Sequence, residues 1–158
     1  MRLLQALAYA SAISTAGFLA SSAAYGQSAF GDPLFAVLVG GNECTSAAVC
    51  RKGDLDAIGS VTLIFPTTTS VCWAITVDNL SGATAAHIHR GAAGVVGGVV
   101  VTLTPPSAPG AGNPGASSGC QAGILAGTIS AIKADPTSFY VNVHNSSFPD
   151  GAARGQLH

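Results

Sequence analysis

The residues best placed to do chemistry are histidines. In Ala85-Ala-His-Ile-His-Arg-Gly91 two of them flank one isoleucine, in a chain with only four histidines. Residues two apart on a strand point the same way. His87 and His89 would therefore share one face, with Ala86 and Ile88 on the other. His144 closes a second strand-like segment whose face it shares with Asn142 and Tyr140. If the two strands lie side by side, three imidazoles can meet, and neutral imidazole suits copper or zinc. Copper ranks above zinc for the same ligands. Met1 is the only methionine, so sulfur ligation that would favour Cu(I) is missing and Cu(II) fits better. Bonds of about 2.0–2.1 Å in a tetrahedron would hold the ring nitrogens about 3–4 Å apart. His158 is a possible fourth ligand, although a chain end tends to fray. The plain alternative is a polar strand face that binds nothing.

Other groups could support such a site. Asn142 could orient His89 or His144, or satisfy a loop backbone. Arg154 could pair with Asp150 or Asp78, or donate to strand-end carbonyls and so fix the last strand. Asp54 and Asp56, with Asp32 or Glu43, could ligate calcium, but the usual glycine-spaced loop is missing. No serine lies in G-x-S-x-G, and no close carboxylate pair suggests acid–base catalysis. The chain is expected not to be an enzyme. With 8% charged residues and a net charge of −1, it has no basic stripe for nucleic acid.

The elements that would position the histidines are short. Apolar runs rich in Val, Ile, Thr and aromatics alternate with Gly, Pro, Asn and Asp, which predicts strands. They fall at Leu34–Val39, Ile58–Phe65, Val71–Val77, Ala85–His89, Gly98–Thr104, Ile124–Ala131, Ser138–His144 and Ala153–Leu157. A helical turn is possible at Gln121–Leu125 or Ser130–Ala134. The stretch from Thr104 to Gly119, full of Pro, Gly and Ser, reads as a long mobile loop. Seven or eight strands predict an all-β antiparallel sandwich or barrel.

The N-terminus predicts export. Met1-Arg2 precedes an apolar run, Leu3 to Ala20, and then small residues at Ala24 and Gly26. This reads as a signal peptide over residues 1–26, with a secreted or periplasmic product and no membrane span after cleavage. All four cysteines lie beyond it, and an even number in an oxidising compartment predicts two disulfides. Three pairings are open. Cys44–Cys50 with Cys72–Cys120 is favoured, since it closes the local loop CTSAAVC and ties a strand to a distant loop. Chain entropy would make these worth about 2 and about 4 kcal/mol.

Several stretches together resemble the CHRD (chordin-type) domain. They are Gly40-Gly-Asn-Glu43, Val71-Cys-Trp-Ala-Ile75 with Asn79-Leu80, Ala85-Ala-His-Ile-His-Arg-Gly91 with Gly94, Phe139-Tyr-Val-Asn-Val-His-Asn145, and Phe148-Pro-Asp-Gly-Ala-Ala-Arg-Gly-Gln-Leu157. The resemblance covers residues 29–158. It implies a Greek-key, immunoglobulin-like fold in an exported binding or structural module without enzymatic activity, able to take a protein partner. One departure is Cys44, where many members continue with prolines. The H-x-H and its glycine loop also resemble the copper-binding strand of Cu,Zn superoxide dismutases, but the further histidines of a dinuclear site are missing.

Overall fold

The computed structural model describes residues 31–46, 49–107 and 115–158. The expected signal peptide lies outside the described residues. Ten strands and one helix follow in order. The strands are β1 (Leu34–Val39), β2 (Cys44–Ser46), β3 (Val49–Cys50), β4 (Ile58–Thr67), β5 (Ser70–Asp78), β6 (Ala83–Arg90), β7 (Gly98–Leu103) and β8 (Gly115–Ala122). The helix α1 (Ala126–Ala134), β9 (Phe139–Asn145) and β10 (Ala153–Gln156) complete the chain.

Eight of the strands form one antiparallel sheet in the order β7-β6-β9-β10-β1-β4-β5-β8. The sheet curls until its two ends nearly meet. Ser107, just beyond β7, exchanges both backbone hydrogen bonds with Ala116 of β8 at 3.1 Å. Ser117 Oγ adds a bond to the carbonyl of Thr104 at 2.8 Å. The result is a barrel-like sandwich of the expected all-β class. Sequence order and sheet order diverge because β6 pairs with β9 and β5 with β8, so the chain crosses between the two halves of the sheet, as in a Greek key.

Period-two alternation decides what faces inward. Val61, Leu63 and Phe65 of β4, Val71, Trp73, Ile75 and Val77 of β5, Ala86 and Ile88 of β6, and Phe139, Val141 and Val143 of β9 fill one continuous core. Each fully buried aliphatic side chain is worth about 1.5–3 kcal/mol. The intervening residues of β6 and β9 form the outer face, and there the histidines stand.

Of the two candidate helical turns, Ser130–Ala134 lies within α1 and Gln121–Leu125 is not helical, and one strand and one loop expectation also fail. Ile124–Ala131 is not a strand: α1 occupies Ala126–Ala134 and buries Ile129 and Ile132 against the core. Those isoleucines are three apart, the helical spacing. The helix gives out at Asp135-Pro136, because proline disfavours the helical conformation in the residue before it. The stretch from Thr104 to Gly119 is not loop throughout, since β8 begins at Gly115 and pairs with β5 along eight residues. Residues 108–114 of that stretch lie outside the described residues. β8 carries little apolar surface of its own. It is held by the Cys72–Cys120 disulfide across a directly opposed pair and by Trp73, whose ring covers Gly119. A Cβ at Gly119 would come within 2.8 Å of that ring. The second disulfide, Cys44–Cys50, ties β2 to β3, and both pairings are those favoured above.

Candidate metal centre

β6 and β9 are neighbours, with His87 opposite Asn142, His89 opposite Tyr140 and Ala85 opposite His144. This register delivers all three predicted imidazoles to one outer face. The β6–β9 register runs unbroken from Ala85 to Arg90, and the bulge opposite Ile88 and His89 falls on β7, at Val100. The donor nitrogens of His87, His89 and His144 all lie within 4.8 Å of one another. Among the described residues they are the one group of three or more His, Cys, Asp or Glu arranged in this way. His87 Nδ1 and His144 Nε2 are 3.1 Å apart, the spacing of two nitrogens on a shared ion.

Two backbone carbonyls fix which nitrogen of the His89 and His144 rings is bare. His89 Nδ1 sits 2.9 Å from the carbonyl of Gly97, and His144 Nδ1 sits 3.0 Å from that of Pro149. A carbonyl only accepts, so both Nδ1 atoms carry the proton and both Nε2 atoms present a lone pair. His89 Nε2 is buried and has no hydrogen-bond partner. Burial pushes the pKa of all three rings down. His87 falls to about 4, through burial first and then the neighbouring His144 and His89. The rings are thus neutral at pH 7, the state that ligates.

A layer of polar side chains surrounds the rings, and sequence reasoning found only part of it. Tyr140 stacks on His89 with ring centres 4.8 Å apart and planes 7° from parallel. Arg154, 1% exposed, places its guanidinium carbon 3.3 Å from the centre of the Tyr140 ring. It makes no bond to Asp150 or Asp78. Its Nη2 donates to the carbonyls of Ala92 and Val95, at 3.0 and 2.9 Å, and so pins the loop that supplies Gly97. The Gly97 N–H in turn donates to the Tyr140 hydroxyl at 3.2 Å. Alternation places Tyr140 on the strand face of His144, and the fold makes it the link between Arg154 and the ring of His89.

Glu43 lies beneath Asn142 in the same polar network. A calcium candidate by residue type alone, it is 2% exposed and stands apart from Asp54 and Asp56, with which it forms no metal-holding group among the described residues. Its Oε1 accepts the N–H of Cys44 at 3.0 Å and its Oε2 accepts from Asn142 Nδ2 at 3.3 Å. Asn142 therefore serves a carboxylate, not a loop backbone. Burial raises the Glu43 pKa, against the lowering effects of Asn142, Cys44 and Arg154. Gly151 makes room for this carboxylate: its φ is +144°, and a Cβ there would meet Glu43 Oε2. An acid buried two residues after a Gly-Gly turn and before a cysteine carried no sequence signal of its fate.

His158 is not part of the cluster. Its backbone N–H and carbonyl pair with Phe35 at 3.0 and 2.9 Å. It lies beyond the end of β10 where Gln156 faces Tyr140, whereas His144 lies beyond the opposite end, where Ala153 faces Val143.

Fold and site together define a small, disulfide-bonded, barrel-like antiparallel β-sandwich with three histidines gathered on one face of two neighbouring strands. The chain belongs to the CHRD domain family, whose family model matches residues 34–157. No curated protein and no solved structure matches it.

Proposed function

We propose that this chain is an exported, non-enzymatic CHRD-domain binding module that holds one copper ion through His87 Nδ1, His89 Nε2 and His144 Nε2. The observation that carries the reading is the pair of backbone carbonyls, Gly97 and Pro149, that strip two rings of their Nε2 protons. Metal-ligating histidines characteristically give their second nitrogen to such an acceptor. Copper comes before zinc because imidazole sites follow that stability order. Export is supported by the two disulfides, which persist in oxidising compartments. The likeness to the dismutase copper strand goes no further than the H-x-H and its glycine loop, since His158 stands apart.

Calorimetry with Cu(II) and Zn(II) on the purified protein tests this. Tight one-to-one copper binding is expected, with weaker zinc binding. Loss of copper binding in His87→Ala and His144→Ala would support the site, and parental affinity in both would sink it.

A second reading is a protein-interaction module without metal. It is favoured by apolar residues left exposed on the outer faces of β1 and β4, Phe35, Val37 and Ile58, each 45% exposed or more. A partner would be expected to lose affinity on Val37→Lys. Under this reading the histidine variants would bind that partner as the parent does.

A further inference from the structure

Among the described residues, four buried side-chain nitrogen or oxygen atoms have no hydrogen-bond partner: Trp73 Nε1, His89 Nε2, Asn142 Oδ1 and Arg154 Nη1. Two of them belong to the histidine centre. Asn142 is 1% exposed, stands directly across from His87, and precedes His144 by two residues on the same face of β9. Its carboxamide lies close enough to His89 to act on that ring as a hydrogen-bonding group. Yet no proton is available between them. The one proton of neutral His89 is given to Gly97. The amide nitrogen of Asn142 is turned toward Glu43, which leaves its oxygen bare. Two desolvated acceptors on one face of two paired strands, each without a donor, are an unfavourable arrangement. A cation between them would satisfy both lone pairs at once.

Resting on the copper reading above, we propose that Asn142 Oδ1 is the fourth ligand of the ion, and that Glu43 holds the carboxamide in its ligating orientation. The centre then consists of three imidazole nitrogens and one amide oxygen, all from two adjacent strands. The Glu43 carboxylate accepts from the amide N–H and so draws electron density toward Oδ1, which strengthens a weak oxygen donor. An oxygen ligand and no sulfur bias the site toward Cu(II) and Zn(II) and away from Cu(I). The rival arrangement is a carboxamide turned over, with a protonated Glu43 donating to Oδ1 and the amide N–H donating to His89 Nε2. That would keep Asn142 off the ion.

Pulsed ENDOR on Cu(II) added to the purified protein, grown with asparagine labelled with carbon-13 at Cγ, decides between them. A carbon-13 coupling alongside the nitrogen couplings of the histidines is expected. It should vanish in the exchange variant Glu43→Gln with Asn142→Asp, which has no label at position 142. Nitrogen couplings without the carbon-13 coupling would overturn the assignment of Asn142 and leave the histidine reading standing. Absence of bound copper would overturn both. The exchange variant keeps one carboxylate and one carboxamide hydrogen-bonded to each other while placing an anionic oxygen at the ion. It should bind Cu(II) about tenfold more tightly, since affinity rises with ligand charge. Affinity equal to or below the parent's would overturn the proposal. Should that variant fail to fold, the labelled parent protein still decides.

Discussion

His87 Nδ1 stands 3.1 Å from His144 Nε2, across 57 residues of chain. The proton of His144 is already given to Pro149 at Nδ1, so its Nε2 can only accept. Without an ion, His87 must therefore carry its proton on Nδ1 and donate it to His144. With an ion at that nitrogen, the His87 proton must move to Nε2. Nitrogen-15 NMR of the three rings is expected to show the Nδ1–H form of all of them in the free protein. Zinc, which is diamagnetic, should convert His87 alone to the Nε2–H form. An unchanged His87 tautomer at zinc saturation would rule out ligation through Nδ1.

Acid should weaken metal binding later than free imidazole chemistry suggests. Ordinary histidine titrates near 6.5, but burial and the neighbouring rings hold His87 down to about 4, and His89 and His144 are lowered as well. Protons therefore compete for all three ligands only below pH 6.5, and for His87 only toward pH 4. Copper affinity should hold as pH falls to 6.5, and ligation by His87 should be lost only toward pH 4. The stability of the metal-free protein has a related dependence. Between the unfolded pKa near 6.5 and the lowered folded pKa, the unfolded chain binds more protons, so this contribution is present above pH 6.5 and is lost on acidification. The urea midpoint should fall between pH 7 and pH 5, and fall less in His87→Gln.

Arg154→Lys should be costly although it preserves charge. A lysine lacks the planar fork that reaches Ala92 and Val95 while stacking on Tyr140. We expect a loss of about 2–3 kcal/mol in stability by urea denaturation. The loop should loosen with it, so hydrogen exchange at the Gly97 amide should quicken more than exchange in the core strands. A protected Gly97 amide in the variant would show that Tyr140 alone holds the loop.

The two disulfides should differ in worth. Cys72–Cys120 spans 48 residues and Cys44–Cys50 spans 6. Loop-closure entropy makes the first worth about 4 kcal/mol and the second about 2 kcal/mol. Paired Cys→Ala variants, compared by denaturant unfolding, should keep that order. Loss of the long link should also release β8, because little apolar burial keeps that strand on β5.

Much of this was legible in the chain. Clean alternation, as in Val71-Cys-Trp-Ala-Ile-Thr-Val77, marks a strand whose faces differ, and the structure buries the residues it should. The H-x-H could be placed on one face for the same reason. β8 escaped notice because Gly115-Ala-Ser-Ser-Gly119 has no β-branched residue. Its pairing is dictated by Trp73 and Cys72, which lie more than forty residues earlier. The reading of Ile124–Ala131 followed β-branched content, whereas the decisive feature was the spacing of Ile129 and Ile132. Glu43 and Tyr140 became visible only once β9, β10 and the connection after β1 were brought together, since their roles depend on tertiary neighbours.

The bridge between Ser107 and Ala116 has a further consequence. Sheets with open margins recruit foreign strands, and proteins commonly deter this with lysines along the rim. This chain has few charges to spend that way. Fastening the two outermost strands to each other at one corner denies an incoming peptide an uninterrupted margin. Resistance to edge-to-edge pairing in so weakly charged a molecule then rests on closure of the sheet instead of electrostatic repulsion.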